Sequence, residues 1–211
     1  MPGRGRTPWF TLDRWQWEGS RPEGLPCCAE AASPPLPPLP LPQYAAQGPV
    51  RRPVGVLTSP NTWSSVIQIV DLHRELHRRG LPGEAVAAFL DASPRLELSV
   101  WHSGHEHGRA RCEVWLALDD GTADVSNWLQ AINVNAGHHL ASATTGLVAC
   151  RSAEWTRVLL QLSGYPKGCR RAFVILKGEG NTAVLEDNVG CWGAKFAAPT
   201  LRLVPVDELA D

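Results

Sequence analysis

The sequence predicts an all-β sandwich with short helices at its start and a disordered, proline-rich tail in front of it. Three observations point that way. Beyond residue 90, apolar residues recur in short runs, several with period two, as in Cys112, Val114, Leu116 and Leu118 against Glu113, Trp115 and Ala117; such alternation places successive side chains on opposite faces of a strand. Gly, Asp, Asn and Ser turns separate the runs with no long helix between them, which favours a sandwich over a parallel α/β sheet. Thirteen of the 18 prolines fall in the first 60 residues.

The densest proline run is Pro34–Pro42, which can be neither helix nor central strand because proline fixes φ and lacks the backbone donor. Polyproline II is its local preference, so residues 1–60 are expected to be a tail or linker. An SH3 or WW-type groove is the partner that such a run could dock into. Trp9, Phe10, Trp15 and Trp17 are unusual in a tail and suit a segment that packs back onto the body.

The folded body is expected over residues 61–206. A helix can start at Ser64 or Ser65, run across Val66, Ile67, Ile69, Val70, Leu72 and Leu76, and end at Gly80 with Arg74, His77, Arg78 and Arg79 near its C-terminus. The dense β-branched run leaves a strand over 66–70 open as well. A second short helix fits Glu84 to Leu90. Strands follow at 96–101, 112–118, 147–150, 155–162, 171–176 and 201–206, and residues 124–143 are expected to supply more.

The chain has 211 residues, enough for one domain, or one domain and a tail. Its 20 basic and 21 acidic residues leave a formal charge of -1. Phosphate backbones are contacted largely by Lys and Arg, so nucleic acid is not an expected partner. No apolar stretch follows the basic N-terminus, and no run reaches the roughly 18–20 apolar residues of a membrane helix. A soluble, cytoplasmic protein is expected, with no membrane partner. Cys27 and Cys28 are adjacent while Cys112, Cys150, Cys169 and Cys191 lie far apart, so reduced, buried thiols are expected rather than a disulfide framework.

The most site-like cluster is His102, Ser103, Gly104, His105, Glu106 and His107. Three imidazoles and a carboxylate could ligate a metal, but the spacing is not that of a helical zinc motif. A turn between strands, or a loop that touches a ligand, accounts for the same residues without metal. His73 and His77 share a helix face but are only two, and His138 and His139 point to opposite sides of an extended segment. There is no nucleophile elbow, phosphate loop, dinucleotide fingerprint or Cys-x-x-Cys. No catalytic residue, cofactor or metal is expected. Among the tryptophans, Trp155 heads an apolar strand and suits a core, whereas Trp101 stands beside the histidines and suits core or ligand equally.

The stretch Trp155-Thr-Arg-Val-Leu-Leu-Gln-Leu-Ser-Gly-Tyr165-Pro-Lys-Gly168-Cys-Arg170 resembles the F-box-associated domain, in which a tryptophan strand leads to a Tyr-x-x-Gly-x-Arg turn. Gly190-Cys-Trp192-Gly193-Ala-Lys-Phe196 is similar to that family's Gly-aromatic-aromatic-Gly segment. Val70-Asp71-Leu72, and Leu98 to Glu113 with Trp101, Gly104 and Glu113 in register, extend the resemblance over residues 66–206. It implies a jelly-roll, galactose-binding-like sandwich. Trp155, Tyr165, Gly168, Arg170, Gly190, Trp192 and Gly193 would be its structural residues.

Glycoprotein-recognising members of that family bind the inner chitobiose of N-linked glycans and reach a ubiquitin ligase through an upstream F-box that binds Skp1. Two departures stand out. Residues 1–60 are too proline-rich for an F-box, which puts Skp1 in doubt and resembles the family's receptor-like branch. Asp187-Asn188-Val189 stands where glycan-binding members carry Tyr-Trp-Lys, so the stacking aromatic is missing. The expected function is a non-enzymatic module that recognises a protein or glycoprotein, with a link to ubiquitin-dependent degradation. The alternative is a scaffold with neither glycan binding nor ligase link. Its ligand-binding candidates are Trp101, His102, His105, His107, Asp187 and Asn188.

Overall fold

The computed structural model describes residues 9–11, 16–18, 56–58, 64–104, 110–122, 141–150, 154–180 and 193–204. Of the two readings open for this segment, the strand over 66–70 holds and the helix from Ser64 or Ser65 is corrected to a later start: β4 spans Ser64–Asp71 and α1 spans Leu72–Arg78. Val66, Ile67, Ile69 and Val70 lose χ1 freedom against a helical turn but pack well on a pleated sheet, so helix begins only where the branching stops. Asp71 makes the switch, its side chain accepting the Arg74 N–H at 2.8 Å. The next helix, α2 over Gly83–Asp91, lies close to expectation.

The first three strands are β1 (Trp9–Thr11), β2 (Gln16–Glu18) and β3 (Val56–Thr58). After the helices come β5 (Arg95–Ser103), β6 (Ala110–Asp119), β7 (Ala141–Thr144), β8 (Val148–Cys150), β9 (Thr156–Leu162), β10 (Arg171–Glu179) and β11 (Lys195–Val204). Among the described residues they make two antiparallel sheets. One runs β1-β11-β5-β9, with β3 also on β11; the other runs β2-β4-β10-β6-β7, with β8 also on β6. This is the expected two-sheet, jelly-roll kind of sandwich with short helices before its main strands. Within residues 1–60, the described segments β1, β2 and β3 pair with β11, β4 and β11. Backbone donors of an extended segment find ready partners on an open sheet edge. The Pro34–Pro42 run lies outside the described residues.

Strand β11 starts six residues before the expected 201 because a bulge interrupts its period. Its register with β5 shifts between Ala197 and Thr200, where Ala198 has φ +47° and Pro199 has no N–H to give. Between the sheets the inward rows meet: Leu96, Leu98 and Val100 of β5 and Phe196, Leu201 and Leu203 of β11 face Val114, Leu116 and Leu118 of β6 and Ala172, Val174 and Leu176 of β10. Leu72 and Leu76 of α1 and Val86 and Leu90 of α2 join the same core. Burying each large aliphatic side chain contributes about 1.5–3 kcal/mol before the entropy of ordering is counted, so these rows dominate the fold's stability. No described helix is long and apolar enough to cross a membrane.

Candidate functional site

Strand alternation separates Trp101 from His102. On β5, Leu98, Val100 and His102 point into the sandwich, and Trp101 lies on the outer face of its sheet, half-buried. Trp101 stands directly opposite Arg157 on β9, and Ser99 stands opposite Leu159. The Arg157 Nε donates to Ser99 Oγ at 2.8 Å, which holds the guanidinium along the sheet surface. Leu159 remains 49% exposed, one of two large apolar side chains so exposed among the described residues. Trp101, Arg157 and Leu159 therefore form an amphipathic patch: a flat aromatic face, a fixed cation and an aliphatic knob. Glu97 continues the row, accepting from Gln161 at 2.9 Å and pairing with Arg95 at 2.9 Å.

His102 is no part of that surface. It is 6% exposed, and its Nδ1 lies 3.5 Å from the sulfur of Cys150. Cys150 ends β8 and in turn shares a hydrogen bond with Cys112 of β6, the two sulfurs being 3.2 Å apart. All three side chains are buried and their ligand atoms lie within 4.8 Å of one another. The hydrogen bond with Cys112 is the main reason that the pKa of the Cys150 thiol is lowered, and His102 adds to it against the opposing effect of burial. Cys112 moves the other way, raised by that shared bond and then by burial. Gly104 makes the approach possible: a Cβ there would sit 2.3 Å from the carbonyl oxygen of Cys150. Among the described residues this is the group with the donors to hold a metal.

The Tyr165-x-x-Gly168-x-Arg170 segment acts as a strap between the helices and the sheets. Tyr165 is buried, and its hydroxyl donates to the Pro94 carbonyl at 2.8 Å while Ser93 Oγ donates back to the Tyr165 carbonyl at 2.6 Å. Gly168, with φ +93°, turns its N–H onto Asp91 Oδ1 at 3.0 Å, and Arg170 Nη1 reaches the same oxygen at 2.9 Å. Trp155 stands immediately before β9, partly exposed, and Gly193 is buried immediately before Ala194 and β11.

Of the residues singled out from sequence, Trp101, His102, Trp155, Tyr165, Gly168, Arg170 and Gly193 are described. His105, His107, Asp187, Asn188, Gly190 and Trp192 lie outside the described residues. The structure sets Trp101 and His102 on opposite sides of one sheet and brings His102 to two cysteines that no local spacing connects. Arg157 and Leu159 read in the sequence only as members of an apolar strand; their period-two placement beside Trp101 is the signal that finds them. Cys112, Cys150 and Cys169 are unlinked and buried, as expected for reduced core thiols.

No family model matches the chain, and no curated protein does. Among solved structures, it is similar to the enzymatically active domain of tailspike protein 4 from bacteriophage CBA120, at 11% identity and a TM-score of 0.41 over 72% of this chain and 15% of that one. It is also similar to the CBM22-1–GH10 modules of a Clostridium thermocellum endo-1,4-β-D-xylanase, at 10% identity and a TM-score of 0.35 over 73% of this chain and 25% of that one. A third is the CBM22-2 xylan-binding domain from Paenibacillus barcinonensis, at 8% identity and a TM-score of 0.33 over 73% of this chain and 89% of that one. The chain thus spans a quarter or less of the first two.

Proposed function

We propose that this chain is a non-enzymatic recognition module that binds a protein or glycoprotein through the outer face of its β5–β9 pair. The observation that supports this reading is the Trp101–Arg157–Leu159 patch. An aromatic and an aliphatic side chain stand beside an arginine fixed by Ser99. Aromatic and arginine side chains are the residue types that most often anchor protein interfaces. Trp101 rests on β5, which is locked between β11 and β9, and Arg157 and Leu159 rest on β9, which is paired along β5, so little order has to be gained on binding. The F-box-associated resemblance supports the same class of function. Asn188, standing where that family's glycan-binding members carry a stacking tryptophan, favours polypeptide over chitobiose as the contacted group.

The test is a binding screen of the full chain against a glycan array, chitobiose-bearing glycoprotein and the same protein deglycosylated, with Trp101→Ala alongside. Saturable binding to both protein forms, weakened by roughly tenfold or more in Trp101→Ala, is the expected result. Binding that leaves the variant untouched would overturn the assigned face. A pull-down with Skp1 decides the finer reading: association supports a link to ubiquitin-dependent turnover, and its absence leaves a scaffold without a ligase link.

A further inference from the structure

The sulfurs of Cys112 and Cys150 and the imidazole of His102 converge from both sheets. His102 belongs to the five-stranded sheet, and the two cysteines belong to the six-stranded one. Two features set the geometry of the group. In the β6–β8 register Cys150 stands opposite Ala110, and Cys112 opposite Val148. The cysteines are therefore diagonal neighbours, whose Cα atoms in a regular sheet are about 7–8 Å apart. A disulfide spans Cα separations up to about 6.8 Å. That register disfavours a direct disulfide between the two sulfurs. The second feature is Gly104, whose missing side chain lets the end of β5 close onto the Cys150 backbone.

We infer that Cys112, Cys150 and His102 form a buried zinc(II) site that joins the two sheets. Zinc–sulfur bonds of about 2.3 Å and zinc–nitrogen bonds of about 2.0–2.1 Å, set at tetrahedral angles, place S and N about 3.5 Å apart and two sulfurs about 3.8 Å apart. The Cys150–His102 separation is already 3.5 Å. The sulfur pair, at 3.2 Å, opens by about half an ångström, a shift that a small rotation of Cys112 about its Cα–Cβ bond supplies. Donor chemistry points the same way: two thiolates and an imidazole with no oxygen among them suit zinc or copper(I). Charge separates these two. Two thiolates and a neutral imidazole carry two negative charges, which zinc cancels and copper(I) leaves half uncancelled among apolar neighbours such as Val100, Val114 and Phe196. Loading releases two thiol protons to solvent, the sulfur–hydrogen bonds giving way to sulfur–zinc bonds. Among the described residues these three side chains form the donor set, and water completes the tetrahedron.

The experiment uses the full chain, reduced, stripped with a chelator and offered zinc, cobalt(II) or copper(I). The expected result is one equivalent of zinc retained through gel filtration. Zinc should raise Tm by roughly 5–10 °C at a hundredfold excess over Kd. Cobalt(II) should give a near-ultraviolet thiolate charge-transfer band together with visible tetrahedral bands. Cys150→Ser and Cys112→Ser should abolish the charge-transfer intensity in proportion to the sulfur removed, and Cys169→Ser should leave it intact. Less than about a tenth of an equivalent bound by folded wild-type chain overturns the site. So does uptake of copper(I) without zinc, or a cobalt spectrum that survives loss of both cysteines. The wild-type titration decides the matter even where a variant fails to fold.

Discussion

Arg171 closes a two-point ion pair on Asp119, its Nε lying 2.9 Å from Oδ1 and its Nη2 2.5 Å from Oδ2. The two residues are directly opposite on β10 and β6, and Asp119 is almost wholly buried. The same carboxylate accepts the Gly121 N–H at 3.0 Å, and the Asp119 carbonyl accepts the Arg170 N–H at 2.7 Å. Removing one member leaves the other charge without its partner in a poorly solvated place. Arg171→Leu is expected to destabilise by about 3–5 kcal/mol, because it strands a buried carboxylate. The double variant Arg171→Leu/Asp119→Leu should recover much of that loss. Urea denaturation of Arg171→Leu, Asp119→Leu and the double variant measures it, and additive losses would show that the pair is not coupled.

Asp91 gives the strap its pH dependence. Its carboxyl is held below the ordinary value first by the Arg170 hydrogen bond and then by the Gly168 N–H. A carboxylate depressed in the folded state adds stability that is complete above its unfolded pKa, about 3.9, and is lost as pH falls through the folded value. Thermal melts should therefore show wild type ahead of Asp91→Asn at neutral pH, with the two converging once the pH is well below 3.9. A gap between them that persisted unchanged into acid would place the effect in shape rather than charge.

Gly104 is required by contact, not by conformation. A methyl group there meets the carbonyl oxygen and carbon of Cys150 at 2.3 and 2.9 Å, and backbone cannot swing aside as a flexible side chain does. Gly104→Ala should cost about 1–3 kcal/mol, the usual range for overpacking a filled interior. It should also push β8 away from β5. Iodoacetamide labelling of Cys150 should then run faster than in wild type at equal temperature. Equal Tm and equal labelling would show that the two strands do not meet as described.

How far the fold could be read in advance depended on the range of the forces involved. Strand β6 stands out because its alternation is long and local, and β10 because Ala172–Leu176 is a continuous apolar run. The β4 segment was ambiguous because a short β-branched run fits either a buried strand or a helix face, and only the Asp71 cap decides where the turn begins. The bulge at Ala198–Pro199 hid the first half of β11 behind a break in period. Site residues divided in the same way. His102 stood out in a group of neighbouring histidines, yet its strand partners turn it toward Cys112 and Cys150, the latter 48 residues distant. Register between non-adjacent strands carries that contact, and no spacing in the sequence announces it. The Tyr165 to Arg170 motif was visible as a pattern, whereas its anchor on Asp91, 79 residues from Arg170, was not.

The outer patch can be tested without disturbing the fold. Leu159 is half exposed on an edge strand and is not part of the buried core, so Leu159→Asp should change stability by no more than about 0.5 kcal/mol. A partner that seats on Trp101 would have to cover this position too, since the two residues lie on one face and on adjacent strands. Placing a carboxylate where the partner meets an aliphatic side chain should weaken association by tenfold or more while Tm stays near that of wild type. Leu147, also exposed but outside the β5–β9 pair, provides the control: Leu147→Asp should leave both quantities unchanged. Loss of binding in the Leu147 variant with none in the Leu159 variant would falsify the assignment of this face and move the recognition surface to the β7–β8 turn.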